Sequence, residues 1–363
     1  MMLDVFEKLG RRALFCLDPE TAHGLSVSAL KAGLPVAKSP HHDARLRTVV
    51  AGVTFDNPLG MAAGYDKNAE VPDALLTLGF GFAEVGTLTP LPQAGNPKPR
   101  IFRLAEDGAI INRLGFNNEG HTAAGRRLAD RAWRAGTVGV NIGANKDSAD
   151  RIRDYELGVE RFAPLASYLT VNISSPNTPG LRDMQARASL AELLSRVVAA
   201  RDAALAGSGK IVPIFLKIAP DLHEGDLADV ATEVLEKKVE GVIVSNTTIS
   251  RPALASAARG ETGGLSGKPL FDRSTIALAK MRRLLGPETA LVGVGGVDSA
   301  DTALEKIRAG ADLVQLYTSM VYAGPALPGR IVNGFSKFLD REGLRSLAEI
   351  RDSRLDHWAG QAL

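Results

Sequence analysis

The chain has 363 residues, 45% of them hydrophobic and 23% charged, which suits an ordinary globular protein with one large domain or two smaller ones. A formal net charge of +2 leaves no basic excess of the kind that nucleic-acid binding requires, so no nucleic-acid partner is expected. One cysteine, Cys16, excludes an intrachain disulfide, a cysteine-rich zinc site and a protein-held iron–sulfur cluster; the six histidines lack H-E-x-x-H spacing, so no metal is expected.

Residues 1–17 place Leu3, Phe6, Leu9, Ala13 and Leu17 at helical spacing, with Asp4, Glu7, Lys8, Arg11 and Arg12 between them, which predicts an amphipathic helix. Asp18, Pro19 and Glu20 read as the N-cap and first turn of a second helix running to about Gly33. No stretch reaches the roughly 18 uninterrupted apolar residues of a spanning helix, so this hairpin either lies on a membrane surface or caps the main domain. After the linker "AKSPHHD", eight short apolar runs recur, most of them followed by a helix-like segment: "PLGMAAG", "FAEVGT", "VGVNIG", "YLTVNIS", "IFLKIA", "GVIVSN", "LVGVGG" and "LVQLYT". Continuous apolar strands alternating with helices predict parallel strands buried on both faces, and eight units make a (β/α)8 TIM barrel; a doubly wound open sheet is the alternative. Two inserts interrupt the alternation at 100–118, with a hairpin turn at Glu106-Asp107-Gly108, and at about 247–270. The expected domains are a helical hairpin and linker over 1–40 and a barrel over 41–363.

Barrel enzymes draw their chemistry from the C-terminal ends of the strands. There the predicted strands gather Ala63, Gly64, Asp66 and Lys67, Thr87, Asn141, Asn172, Ser175, Lys217, Ser245, Asn246, Thr247, Gly295, Gly296, Tyr317 and Thr318. The set is rich in amides and nearly free of carboxylates, which argues against a glycosidase pair and suits a flat, hydrogen-bonding heterocycle. "GVGG" after the seventh strand reads either as a tight turn or as a phosphate cradle. Lys217 lies inside an apolar strand, where an unpaired ammonium is costly, so an anion or strong acceptor is expected beside it. Lys67 either neutralises Asp66 or holds a ligand. In "NISSPNTPGL" two prolines stiffen a run of Asn, Ser and Thr, as a binding loop requires.

The strings "GMAAGYDKN", "EVGTLTPLPQAGNPKPRIFRL", "INRLGFNN", "VNIGANK", "NISSPNTPGLR", "FLKIAPDL", "VSNTT", "GGLSGKPL", "GVGGV" and "LVQLYT", in order from about 45 to 340, resemble the class 2, quinone-dependent dihydroorotate dehydrogenases. The resemblance implies an enzyme of de novo pyrimidine synthesis that oxidises dihydroorotate to orotate, passing a hydride to N5 of one bound FMN and then electrons to ubiquinone or menaquinone. It implies FMN contacts at Ala63, Gly64, Tyr65, Asp66, Lys67, Thr87, Asn141, Asn172, Lys217, Ser245, Gly267, Gly295, Gly296, Tyr317 and Thr318. Dihydroorotate would meet Lys67, Asn112, Arg113, Leu114, Gly115, Phe116, Asn172, Asn177, Asn246 and Thr247. Ser175 occupies the base position, with Thr178 as proton relay and Lys217 favouring electron acceptance. His23, Arg103 and Tyr317 would neighbour a quinone tunnel between the N-terminal helices. The resemblance further implies a monomer held peripherally on the cytoplasmic face of the membrane. A tRNA-dihydrouridine synthase-like flavin barrel, or a non-catalytic FMN-binding scaffold, would be the alternatives; the first lacks here its catalytic cysteine and basic face.

Overall fold

The structure is a computed structural model that describes residues 10, 13–34 and 36–363. Most of the helix expected over 1–17 lies outside the described residues; within that span residues 10 and 13–15 are helical. The strands are β1 (Thr48–Val50), β2 (Val53–Phe55), β3 (Leu59–Met61), β4 (Phe82–Leu88), β5 (Ile101–Leu104), β6 (Ala109–Asn112), β7 (Thr137–Ile142), β8 (Tyr168–Asn172), β9 (Ile214–Ile218), β10 (Gly241–Val244), β11 (Gly264–Gly267), β12 (Ala290–Val294) and β13 (Leu313–Leu316). Eight of them close a parallel barrel in the order β3-β4-β7-β8-β9-β10-β12-β13. Each contains part of one of the eight apolar runs, and the open-sheet alternative falls because β13 pairs back onto β3.

The barrel interior is filled by aromatic rings laid across glycines on neighbouring strands. Gly60 pairs with Phe82, Gly139 with Tyr168 and Gly241 with Phe215. A Cβ at these glycines would fall 2.3, 2.0 and 2.4 Å from the facing ring, so only glycine leaves room for the aromatic. Phe55, at the end of β2, meets Phe82 edge-on at 5.0 Å and stoppers the N-terminal mouth. The antiparallel β1–β2 hairpin that carries it had no counterpart in the sequence reading.

Both inserts sit over the opposite, C-terminal mouth. β5 and β6 form the expected hairpin, and the second insert adds β11 beside β6 to give a three-stranded sheet. The helix Pro19–Lys31, α1, begins where expected: the Asp18 carboxylate accepts from the N–H groups of Glu20 and Thr21 at 3.1 and 3.0 Å. Its Glu20 forms a two-pronged pair with Arg100 at 2.7 and 3.0 Å, which ties the helix to the segment leading into β5. Arg100 also donates to the Ala94 and Asn96 carbonyls. Among the described residues no helix is long and apolar enough to cross a membrane.

Candidate active site

A cavity opens over the C-terminal mouth. Its walls include Ala63, Gly64, Lys67, Thr87, Asn112, Leu114, Gly115, Phe116, Asn172, Ser175, Asn177, Lys217, Ser245, Asn246, Thr247, Gly267, Gly295, Gly296, Tyr317 and Thr318. The sequence reading therefore assembled most of one wall from seven of the eight strand ends.

The floor is a hydrogen-bonded lattice of amides. Glu84, fully buried, accepts from Asn141 Nδ2 at 2.7 Å, from the Gln315 amide at 2.9 Å and from the Tyr168 hydroxyl at 3.1 Å. Thr87 Oγ1 donates to Asn141 Oδ1 at 2.6 Å, and Asn172 Nδ2 donates to both Thr87 Oγ1 and Asn141 Oδ1. Asn172 Oδ1 in turn accepts from the backbone N–H and hydroxyl of Ser174. With its amide spent on protein partners, Asn172 holds the floor rigid, while Asn112, Asn177 and Asn246 stand along the sides. Asn177 Nδ2 reaches Asn112 Oδ1 at 3.4 Å, and Asn246 Nδ2 donates to Ser174 Oγ at 2.9 Å. Arg182 fixes the loop after β8 from behind, donating to the Ser174 and Thr247 carbonyls and pairing with Asp221 at 2.9 Å. Ser175, 5% exposed, faces the cavity with its Oγ accepting the Asn177 N–H at 3.2 Å.

Two lysines face this cavity. Lys217 is buried and donates no hydrogen bond among the described residues; burial lowers its pKa, partly opposed by the Glu84 charge. Lys67 Nζ lies 3.1 Å from His23 Nε2, and burial brings its pKa down to about 8. Burial, then the Lys67 ammonium, takes His23 down to about 3, so the imidazole is neutral and accepts from Lys67. The other ring nitrogen of His23 lies 3.4 Å from the Tyr317 hydroxyl.

Behind Tyr317 lies a second, mostly apolar groove walled by Leu14, Phe15, Ala22, Leu30 and Leu34 of the N-terminal segment and by Tyr65, Leu78, Met320 and Val321 of the barrel. His23, Arg103 and Tyr317 all line it, and Tyr317 lines the polar cavity as well. Arg103 donates to the Phe15, Leu17 and Leu14 carbonyls and lies 4.8 Å from the centre of the Phe15 ring.

Five of the residues expected at the flavin, the substrate or the proton relay do not line the polar cavity. Arg113 turns outward to Glu261 at 2.8 Å and stacks 4.5 Å over Phe102. Asp66 caps the N–H groups of Glu70 and Val71 at 2.8 Å each. Tyr65 faces the groove, its hydroxyl 3.0 Å from Ser26 Oγ. Asn141 lies beneath the floor, and Thr178 is buried behind the loop, its hydroxyl without a hydrogen bond among the described residues. Asn117 was missed: it lines the cavity and its Oδ1 is buried without a hydrogen-bond partner. Its place next to Phe116 in "GFNN" was the available signal.

A flavin mononucleotide fits these residues. A buried, unbonded ammonium at Lys217 meets the need of an electron-rich ring edge, and at the far end Gly295 and Gly296 leave backbone bare. Gly296 (φ +74) approaches so closely that a Cβ would stand 2.4 Å from that of Phe271. A parallel barrel with an amide-lined mouth, a glycine cradle and a groove beside it defines a two-chamber barrel oxidoreductase. A sequence model of the dihydroorotate dehydrogenase family matches residues 45–339, and the chain belongs to that family. It is 70% identical over 99% of its length to the whole of a Mesorhizobium japonicum protein named dihydroorotate dehydrogenase (quinone), and 65% identical to a Rhizobium rhizogenes protein of the same name, covering 99% of each. Among solved structures, dihydroorotate dehydrogenase of Eimeria tenella in complex with ferulenol superposes with a TM-score of 0.87 at 41% identity, covering 94% of this chain and 96% of that one.

Proposed function

We infer that the barrel oxidises dihydroorotate to orotate in pyrimidine biosynthesis and delivers the electrons to a quinone. The observation that carries this reading is the position of Tyr317, one ring standing between a polar cavity fit for a pyrimidine and an apolar groove fit for a quinone.

FMN would be held by Ala63, Gly64, Thr87, Lys217, Ser245 and Gly267 around its ring, with Gly295, Gly296 and Thr318 at its phosphate. When bound, it supplies a two-electron acceptor for the substrate and a donor for the quinone. Lys67 holds the substrate carboxylate, and Asn112, Asn177 and Asn246 read the alternating donors and acceptors of the ring without burying net charge. Ser175 takes the C5 proton; a serine hydroxyl is a weak base, so its own proton must move on, and the uncommitted Thr178 hydroxyl is the proposed relay. The Lys217 ammonium stabilises negative charge on the ring edge beside it. Asn141, beneath the floor, keeps Thr87 and Asn172 in register.

The chain works as two units, the hairpin and linker of 1–40 and the barrel of 41–363. Exposed Leu17, Leu25 and Leu34 of the hairpin segment give it an apolar outer face suited to the cytoplasmic leaflet, where a membrane quinone enters the groove. The protein is a monomer attached peripherally. Adding dihydroorotate to the yellow protein without oxygen should bleach the flavin absorbance, and a short-chain quinone should restore it. A flavin that stays oxidised overturns the catalytic reading; bleaching that quinone fails to reverse overturns the acceptor.

A further inference from the structure

Lys306 is the one lysine of the described residues with no accessible surface at all, and it belongs to neither chamber. It lies on the helix Ala300–Arg308, behind the glycine turn that follows β12. Its Nζ donates to Ser274 Oγ at 2.6 Å and approaches the Phe271 carbonyl at 3.4 Å and the Phe271 ring centre at 4.9 Å. No carboxylate lies within ion-pair distance of it among the described residues; burial pulls its pKa well down, opposed in part by the Asp272 charge. A buried ammonium without a counter-ion is costly unless an anion comes within its field.

Ser274 shows where that field is directed. By accepting from Lys306, its Oγ must turn its own hydrogen elsewhere, and two carbonyls are in reach: Phe271 at 3.1 Å and Gly295 at 3.2 Å. The Phe271 carbonyl already takes Thr275 Oγ1 at 2.6 Å and Lys306 Nζ at 3.4 Å, whereas Ser274 is the one side-chain donor to Gly295 O among the described residues, which favours Gly295 for the Ser274 hydrogen. Ser274 is fully buried and outside the cavity wall, whereas Gly295 and Gly296 line it. The Gly295–Gly296 peptide is trans, so a carbonyl pinned away from the cavity sends the Gly296 N–H towards it. That N–H has no acceptor among the described residues.

We propose that Lys306 is a positioning residue for phosphate recognition: through Ser274 it locks the Gly295 carbonyl, aims the Gly296 N–H into the cavity and places a positive charge behind it. The inference rests on the reading that the barrel holds FMN, whose phosphomonoester is the anion concerned. It predicts that Lys306 discriminates FMN from riboflavin, which has the same ring and no phosphate.

The test titrates FMN and riboflavin separately into the deflavinated full chain, following quenching of flavin fluorescence, for the wild type, Lys306→Met and Ser274→Ala. Both variants should weaken FMN about tenfold, the effect of one hydrogen bond to a charged group, and leave riboflavin within about twofold. Equal losses for both ligands, or no loss for FMN, would assign Lys306 to packing alone and overturn the proposal. Ser274→Ala removes a single oxygen and preserves the comparison even where Lys306→Met fails to fold. A wild-type chain that binds riboflavin as tightly as FMN overturns this inference but leaves the flavin reading standing; one that binds neither overturns both.

Discussion

Lys67 carries two relationships at once, to the polar cavity that it lines and to His23 of the N-terminal helix. Its pKa, brought down to about 8, makes the ammonium a ligand that can be switched off in an accessible range. Orotate affinity should hold steady below about pH 8 and fall roughly tenfold per unit above it, because only the protonated lysine pairs with the carboxylate. Equilibrium titration from pH 6.5 to 9.5 checks this, and a flat profile would remove Lys67 from carboxylate binding. For Ser175→Ala the expectation is a loss of at least about a hundredfold in the rate of flavin bleaching with orotate affinity kept within a few-fold, since the hydroxyl acts on a proton and not on binding. Rapid-mixing absorbance measurements separate the two. Some of these residues were legible in the sequence for a physical reason: a lysine inside "IFLKI" is too costly to be accidental, and five amide and hydroxyl side chains within the seven positions 172–178, stiffened by Pro176 and Pro179, exceed what a turn needs. Others were not. Lys306 in "LEKIR" looks like any solvated helical lysine, and its burial appears only when Ser274 and Phe271 pack over it; Arg113 sits among site residues in sequence yet turns away to meet Glu261, a partner 148 positions distant.

At the scale of elements, α1 is joined to the rest of the protein by few but specific contacts. The Glu20–Arg100 pair is mostly buried on the arginine side, so Arg100→Ala leaves Glu20 with only the exposed Lys98 at 3.5 Å and the Ala94 and Asn96 carbonyls unserved. The helix should lose about 3 kcal/mol of docking free energy, read as faster hydrogen exchange over Pro19–Lys31 with the barrel strands unchanged. His23 adds a pH dependence whose sign follows from its depressed pKa. Docking favours the neutral ring; undocked, the imidazole protonates near its ordinary 6.5, so docking is at full strength above that value and weakens as pH falls towards about 3. Exchange protection of α1, corrected for intrinsic rates, should drop roughly tenfold per unit below about pH 6, and His23→Gln should abolish the trend. The strands themselves could be read because each is buried on both faces and therefore uninterrupted in apolar residues. The short β1–β2 hairpin could not: three residues per strand, with Val49 two-thirds exposed, carry too little alternation to stand out, and only Phe55 packing on Phe82 explains why the chain turns there. The pairing of β11 with β6 was equally hidden, since a contact between residues about 155 apart leaves no local periodicity.

The whole molecule divides its labour by polarity. Net charge is close to zero, so the proposed membrane attachment cannot rest on the chain's overall field and rests on the apolar outer face of the hairpin segment. Replacing Leu25 and Leu34, 49% and 55% exposed, by glutamate should release the protein from vesicles in a sedimentation assay while leaving dihydroorotate-driven bleaching intact. Retained sedimentation would mean that these two leucines do not make the contact. The division also bears on inhibition. The polar cavity is fixed by the chemistry of its ligand and by a lattice in which each amide is held by the next, so little in it can vary between enzymes that handle the same pyrimidine. The groove on the far side of Tyr317 has only to stay apolar and open, and it is walled in part by a helical segment whose sequence need keep no more than its pattern. With the groove as the proposed quinone entry, selective inhibitors are expected there: a compound lodged in it would stop turnover in one member of the family and spare another, without competing with dihydroorotate in either.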